Sequence, residues 1–165
     1  MVQHLKESSH AKHLLECARE LGLPEDVFHL VPRREWPELL SAIESRFGDN
    51  LSFLWWHSNI PSSMPRKSKH IDDQTGFQMI SHLVPEPLEP IWFVCENWGA
   101  VEPRGCDRMI VFEATAIAIE QVVGESYGFE YVLVSKDLDW MIGENHHDVV
   151  FAVGTLVANR LPMTE

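Results

Sequence analysis

The chain has 165 residues, of which 45% are hydrophobic and 23% charged, a balance typical of a folded domain and not of a disordered segment. This length fits a single domain, residues 1–165, with room for a sizeable core. No apolar run approaches the roughly 20 residues that a membrane helix needs, and the first residues lack the apolar core of a signal peptide. We therefore expect a cytoplasmic protein without membrane contacts.

The net charge of −12 is concentrated in one part of the chain. Residues 1–70 carry nine acids and nine Lys or Arg, whereas residues 71–165 carry sixteen acids and four Lys or Arg, so the second part alone accounts for −12. Such a field repels phosphate backbones and attracts cationic partners. This distribution argues against nucleic-acid binding and favours a basic protein partner, although a net charge of this size also serves solubility alone.

The three cysteines, Cys17, Cys95 and Cys106, have no CxxC spacing, which argues against a disulfide framework and a zinc knuckle. Cys95 lies in an apolar run, so we expect a buried thiol and not a nucleophile. The sequence has no P-loop, dinucleotide-binding, GxSxG or HExxH motif. No motif therefore determines a reaction, and no cofactor is expected.

Four stretches have the 3.6-residue apolar spacing of helices, and glycine or proline residues interrupt the chain near several of their ends. The last of the four is rich in β-branched residues, but Thr115 can cap it as a helix. The predicted helices are residues 9–21, 36–47, 76–83 and 115–125.

Six short stretches have the apolar composition or alternation of strands, and the last three follow one another closely. Between the first two lies a polar connection, residues 58–75, predicted to be a surface loop. We predict an α+β fold, in which N-terminal helices and one or two further helices pack on a mostly antiparallel sheet. The predicted strands are residues 51–57, 91–97, 108–113, 129–135, 138–144 and 148–154.

A polar corner separates the last two predicted strands, and its side chains can transfer protons or bind a metal ion. The catalytic candidates are Glu144, His147 and Asp148, and the metal candidates are His146, His147 and Asp148. Adjacent histidines on an extended chain point in opposite directions, so one site cannot readily use both, and further ligands would come from His57, His70 or His82.

The same corner also fits a polar turn without chemistry, in which Asn145 takes left-handed backbone geometry and Asp148 accepts hydrogen bonds from nearby amides. A second cluster, His10, His13 and Cys17, lies on one side of the first helix. It is interpreted as a packed or solvated histidine face in preference to a metal site.

The stretch EYVLVSKDLDWMIGENHHDVVFAVG resembles the C-terminal signature of a family of short, uncharacterised bacterial proteins. The shared pattern is a Tyr-containing strand, then Lys-x-Leu-x-Trp, then an Asn-His-His-Asp corner before a final strand; IWFVCENW and VFEA also resemble the family. The resemblance implies an α+β fold and carries no activity. In fold and size the chain is also similar to immunity proteins of the SUKH type, which neutralise toxins.

Two functions follow as hypotheses. The first is a protein-binding, immunity-type protein whose acidic C-terminal half neutralises a basic partner, with contacts from Trp56, Trp92, Trp98, Glu144 and His146. The second is a metal-assisted hydrolase built on the corner from Glu144 to Asp148. Strands that are apolar on both faces also leave room for a homodimer.

Overall fold

The computed structural model describes residues 9–48, 60–97, 108–126 and 128–162. Short 3-10 turns precede α2 and α3. The helices α1 to α5 in this part of the chain are Ser9–Glu20, Trp36–Phe47, Ile80–Leu83, Ala116–Glu125 and Thr155–Ala158. The strands β1 to β7 are Phe28–Leu30, Arg66–His70, Pro90–Glu96, Met109–Thr115, Tyr131–Val134, Met141–Glu144 and Val149–Val153.

All seven strands of the described chain belong to one sheet, in the order β1-β4-β3-β5-β6-β7-β2, and every neighbouring pair is antiparallel. The pairing of β3 with β4 and the run β5-β6-β7 follow the sequence, because short connections join antiparallel neighbours. The predicted α+β class is confirmed, with seven strands where about six were expected.

Two of the strands were not predicted. β2 lies inside residues 58–75, so the expectation of an irregular loop over that whole segment is wrong. β1 lies between the first two predicted helices, where no strand was predicted. The predicted strand at residues 51–57 lies outside the described residues.

β2 is an edge strand that carries the basic cluster of the sequence. Its register places Lys67 beside Ala152 and Lys69 beside Val150 of β7. Backbone hydrogen bonds, not apolar side chains, hold such a strand, which is why alternating hydrophobicity does not mark it. Charged side chains on an edge also oppose pairing with another chain.

Three of the predicted helices match α1, α2 and α4, and α3 with the preceding turn Gly76–Met79 matches the fourth. Thr115 caps α4 as expected, because its hydroxyl oxygen accepts a hydrogen bond from the Ala118 N–H at 3.3 Å. Gly22, just after α1, has φ of 73°, a backbone conformation that suits glycine. No helix in the described residues is long and apolar enough to cross a membrane.

Both faces of the central strands are buried. On one face Phe93, Leu133 and Ile142 are cross-strand neighbours, and each is at most 2% exposed. On the other face Val94 and Val132 pair directly and are fully buried. A sheet covered on both sides needs apolar residues at successive positions, which explains why these strands are not amphipathic.

Gly143 of β6 is the position where this packing leaves no room for a side chain. A Cβ atom there would overlap the ring of Phe151 and lie 2.9 Å from Val132 Cγ1. Overpacking of a core costs about 1–3 kcal/mol. We predict that Gly143→Ala lowers the free energy of unfolding, measured by urea denaturation, by about this amount.

The matched control is the same substitution in a Phe151→Leu background, where the shorter side chain leaves space for the new methyl group. A double-mutant cycle then gives a smaller cost for Gly143→Ala in that background. An equal cost in both backgrounds would show that contact with the Phe151 ring is not the cause.

Candidate functional site

One end of the sheet gathers carboxylates from separate segments of the chain. Because the sheet is antiparallel, the C-terminal ends of β2, β3 and β6 meet the N-terminal ends of β5 and β7 there. The Ile71 N–H donates to the Asp148 carbonyl at 2.7 Å, which brings the residues after β2 to the same place. We call this region the acidic end; its carboxylates are those of Asp72, Asp73, Glu96, Glu130, Glu144 and Asp148.

Glu144 is the buried centre of the acidic end, with 6% of its surface exposed. It lies directly opposite Tyr131 in the register of β5 and β6, and the Tyr131 hydroxyl donates to its Oε2 at 2.6 Å. The Gly76 N–H donates to Oε1 at 3.1 Å. A buried carboxyl group requires such donors, and in this case they also tie the turn before α3 to β6.

Gly76 is required by this contact. A Cβ atom at that position would lie 2.7 Å from Glu144 Oε1 and would overlap Val150. The absence of a side chain lets the backbone approach the carboxyl group closely enough to donate a hydrogen bond.

The surroundings of Glu144 and Tyr131 perturb both groups. Burial raises the pKa of Glu144 above its ordinary value, and the negative charge of Asp148 adds to this, while the hydrogen bonds from Tyr131 and Gly76 oppose it. Burial, followed by the nearby charge of Glu144, raises the pKa of Tyr131 well above its ordinary value. The Tyr131 hydroxyl therefore stays protonated and remains a donor to Glu144.

A second buried carboxylate, Glu130, holds the His146 imidazole at the surface. Glu130 is 7% exposed; its Oε1 accepts a hydrogen bond from the His146 N–H at 2.9 Å and also contacts His146 Nδ1. The Glu130 N–H donates to Glu96 Oε1 at 2.9 Å. The His146 side chain is 59% exposed, so its outer ring edge faces solvent while the inner edge is fixed.

The two adjacent histidines lie side by side. The ring centroids of His146 and His147 are 3.8 Å apart, so the expectation that they point in opposite directions is wrong. That expectation assumed an extended chain, whereas the residues occupy the turn between β6 and β7.

The predicted polar turn is present, but Asn145 and Asp148 exchange their predicted roles. Asp148, not Asn145, has the left-handed backbone conformation, with φ of 58°. Asn145 Oδ1 accepts hydrogen bonds from the N–H groups of His147 and Val149 at 2.9 and 3.2 Å. Asp148 Oδ1 is buried and accepts no hydrogen bond from the described residues.

A cavity of about 50 Å³ opens beside Glu144. Its walls include Phe77, Phe129 and Tyr131, and exposed residues at its rim include Gly128 and His146. A water molecule needs roughly 10–15 Å³ on this scale, so the cavity holds only a few non-hydrogen atoms. Of the catalytic candidates, Glu144 lines this cavity, whereas His147 and Asp148 are not among its lining residues.

The metal candidates do not form a ligand set. Within the part of the chain that the structure describes, no three His, Cys, Asp or Glu side chains are placed to hold a metal ion. His70 Nδ1 lies 3.2 Å from Asp72 Oδ1 at the surface, and His82 is exposed on α3. His57 lies outside the described residues. The geometry of the corner therefore gives no support to a metal-assisted hydrolase.

The cluster on α1 is packed, as predicted. His10 is buried and donates from Nδ1 to the Glu96 carbonyl at 2.7 Å, and burial lowers its pKa. His13 Nε2 lies 3.7 Å from Cys17 Sγ and 3.4 Å from Ser126 Oγ. Ser126 also lines the cavity, so α1 supports one of its walls.

The predicted binding tryptophans can be placed only in part. Trp92 is half-buried, and the Lys136 ammonium group lies 3.3 Å from its ring centroid, so a cation already covers that ring face. Trp56 and Trp98 lie outside the described residues. Cys95 is fully buried, and burial raises the pKa of its thiol well above the ordinary value, as expected for a structural cysteine.

Several residues of the site were missed by sequence reasoning. Phe129, Glu130 and Tyr131 lie in a predicted strand and Phe77 lies in a predicted helix, but none of them was predicted to be a site residue. One signal was available, because a buried tyrosine normally needs a partner for its hydroxyl and Glu144 interrupts an apolar strand. The register that joins these two residues is not visible in either segment alone.

Residues 11–165 match a family of unknown function, DUF6756. The chain belongs to this family. No curated protein and no solved structure matches it. The family match names no activity, and it does not support the analogy with immunity proteins of the SUKH type.

The raised pKa of Glu144 predicts a pH-dependent stability. Between the ordinary carboxyl pKa of 4.5 and the raised folded value, the folded state binds more protons than the unfolded state, so the free energy of unfolding falls as pH rises. Glu144→Gln removes this titration while keeping the shape of the side chain. Denaturation curves from about pH 4 to pH 8 should therefore show the wild type losing stability relative to the variant as pH increases.

The comparison needs a control for the other carboxyl groups. Glu113→Gln serves, because Glu113 lies at the opposite end of the sheet and forms an ion pair with Lys136. A wild type whose stability relative to Glu144→Gln rises or stays constant with pH would refute the raised pKa.

Proposed function

We propose that this chain is a protein-binding module whose acidic end receives a basic protein partner. The observation that carries the proposal is the convergence of six carboxylates, from four segments of the chain, at one end of the sheet. A surface on which one sign of charge predominates raises the local concentration of oppositely charged partners and directs their approach.

Three carboxylates of the acidic end lack a lysine or arginine partner within the described residues. Glu130, Glu144 and Asp148 form no ion pair with a lysine or arginine of the described chain. Asp72 is 89% exposed in its side chain and pairs only with His70 among the described residues. Carboxylates without such a cationic partner can act on an approaching basic molecule.

The opposite end of the sheet differs. Lys136 Nζ lies 2.5 Å from Glu113 Oε2 and also stacks on Trp92, so a cation there is already shared between a carboxylate and a ring. Asp137 and Asp139 are exposed in the same region. The two ends therefore offer a matched comparison. At the opposite end the exposed aspartates lie near Lys136, whereas at the acidic end the exposed aspartates have no lysine or arginine partner among the described residues.

The proposal predicts salt-dependent binding of a lysine-rich peptide, for example a Lys-Gly-Ser repeat. The double variant Asp72→Asn with Asp73→Asn removes two exposed charges at the acidic end, and asparagine suits the positive φ of residue 73. Each exposed ion pair contributes about 0.2–1 kcal/mol, so we expect the dissociation constant at low ionic strength to rise about threefold to tenfold. Isothermal titration calorimetry measures this.

The control is the double variant Asp137→Asn with Asp139→Asn, which changes the net charge equally at the opposite end. If the effect belongs to the acidic end, this control binds the peptide nearly as tightly as the wild type. An equal loss of affinity in both double variants would show that net charge, and not the acidic end, causes the effect. If the wild type does not bind the peptide at low ionic strength, the proposal is contradicted.

An immunity-type role is the form of this function that we propose. The basic partner is then a toxin, and binding at the acidic end blocks it. Cells that express the chain should survive expression of a toxin encoded beside its gene, and the variant Asp72→Asn with Asp73→Asn should protect them less. Growth assays measure the difference; equal protection by both proteins would show that the acidic end does not act on the toxin.

A further inference from the structure

The cavity beside Glu144 combines a buried carboxyl group with aromatic walls. Glu144, Tyr131, Phe77 and Phe129 line it, and none of its lining residues in the described chain is a lysine or arginine. Aromatic rings attract a cation held over their faces within about 6 Å, and a carboxylate supplies a hydrogen-bond acceptor. The lining therefore suits a cationic group that is attached to a short apolar chain.

Glu144 retains capacity for further donors. It accepts hydrogen bonds from the Tyr131 hydroxyl and from the Gly76 N–H. An ionised carboxylate offers about four acceptor positions, so roughly two positions remain after these two donors. A cationic donor in the cavity would occupy one of them and would offset the cost of a buried negative charge.

The same features exclude other ligand classes. An anion would meet the charges of Glu144 and Asp148, whose mutual repulsion already contributes to the raised pKa of Glu144. A nucleotide or a large cofactor does not fit about 50 Å³. Aromatic carbon atoms do not ligate metal ions, and no group of three ligands exists in the described chain.

The size and the rim favour lysine among cationic side chains. The volume fits an ammonium group with two or so methylene groups, whereas a guanidinium group is planar and broader. Gly128 and His146 are exposed at the rim, so a side chain can enter from the acidic end. The Glu130 carboxylate fixes His146 at that rim.

We propose that this cavity receives a lysine side chain of the basic partner, with its ammonium group hydrogen-bonded to Glu144 and its methylene groups against Phe77 and Phe129. The inference rests on the proposed function, since the partner that carries the lysine is the one that the acidic end attracts. The cavity gives the interaction between the acidic end and its basic partner a specific anchoring position, which charge attraction alone does not provide.

The test uses the complete chain and two neutral Gly-Ser peptides, one with a single lysine and one with acetyl-lysine at the same position. The wild type should bind the lysine peptide and not the acetylated one, because acetylation removes the charge. Nuclear magnetic resonance titration should show the lysine peptide shifting the Gly76 amide, which donates to Glu144. Glu144→Gln should weaken binding by roughly tenfold or more, since hydrogen bonds to charged groups are strong.

A second variant, Phe77→Leu, keeps an apolar wall and removes the ring. We expect it to weaken binding about twofold to fivefold through the lost cation–π attraction. Glu113→Gln, which changes the charge equally at the opposite end of the sheet, is the control and should bind the lysine peptide like the wild type. Urea denaturation of each variant shows whether it is folded under the binding conditions.

The outcomes separate the two proposals. Equal binding of the lysine and acetyl-lysine peptides, or unchanged lysine binding in both cavity variants, overturns the lysine pocket. If the lysine-rich repeat still binds and its binding depends on Asp72 and Asp73, the proposed function stands without the lysine pocket. If the wild type does not bind the lysine-rich repeat at all, the proposed function itself is overturned.

Discussion

The structure depends on a carboxyl group placed in the core of the sheet. Glu144 lies where its neighbours along β6 are apolar, and it is tolerated because the Tyr131 hydroxyl and the Gly76 N–H each donate a hydrogen bond to it. Leaving such a group without donors would cost several kcal/mol. Three elements must therefore meet correctly at one point, namely β5 through the tyrosine, β6 through the glutamate and the turn before α3 through its backbone.

This requirement also produces the cavity. The Tyr131 hydroxyl reaches Glu144 and the Gly76 backbone approaches it closely, and these contacts bring Tyr131 and Phe77 to the lining of the cavity. Phe129 completes the wall in contact with Tyr131, their ring centroids being 5.9 Å apart. The segments that donate hydrogen bonds to the Glu144 carboxyl group therefore also line the cavity beside it.

The acidic end concentrates like charges, which opposes folding. Glu130 offsets part of this cost through the hydrogen bonds that it accepts from His146, while the burial of Glu144 and the charge of Asp148 raise the pKa of Glu144. Proteins tolerate local conflicts of this kind mostly where function requires them. A cationic partner would relieve the repulsion, so the same carboxylates that lower stability in the isolated chain would favour association.

Much of the architecture could be predicted from local sequence signals. The apolar stripe of α2, the cap at Thr115 and the strands β5 to β7 each depend on residues that lie close together in the chain, which is why the sequence predicts them. The location of the charge imbalance could also be predicted, because it requires only a count. The polar corner was predicted as a segment, but not the exchange of roles between Asn145 and Asp148, which depends on backbone torsions.

The way in which those segments combine depends on tertiary contacts between them. β2 joins the sheet through backbone hydrogen bonds to β7, which any side chain permits, so its basic sequence shows no strand pattern. Tyr131 and Glu144 become partners through a register between two strands, and Phe77 joins them from a segment more than fifty residues earlier. Local sequence determines which elements form, whereas the contacts that build a site depend on packing between distant elements, which no single segment encodes.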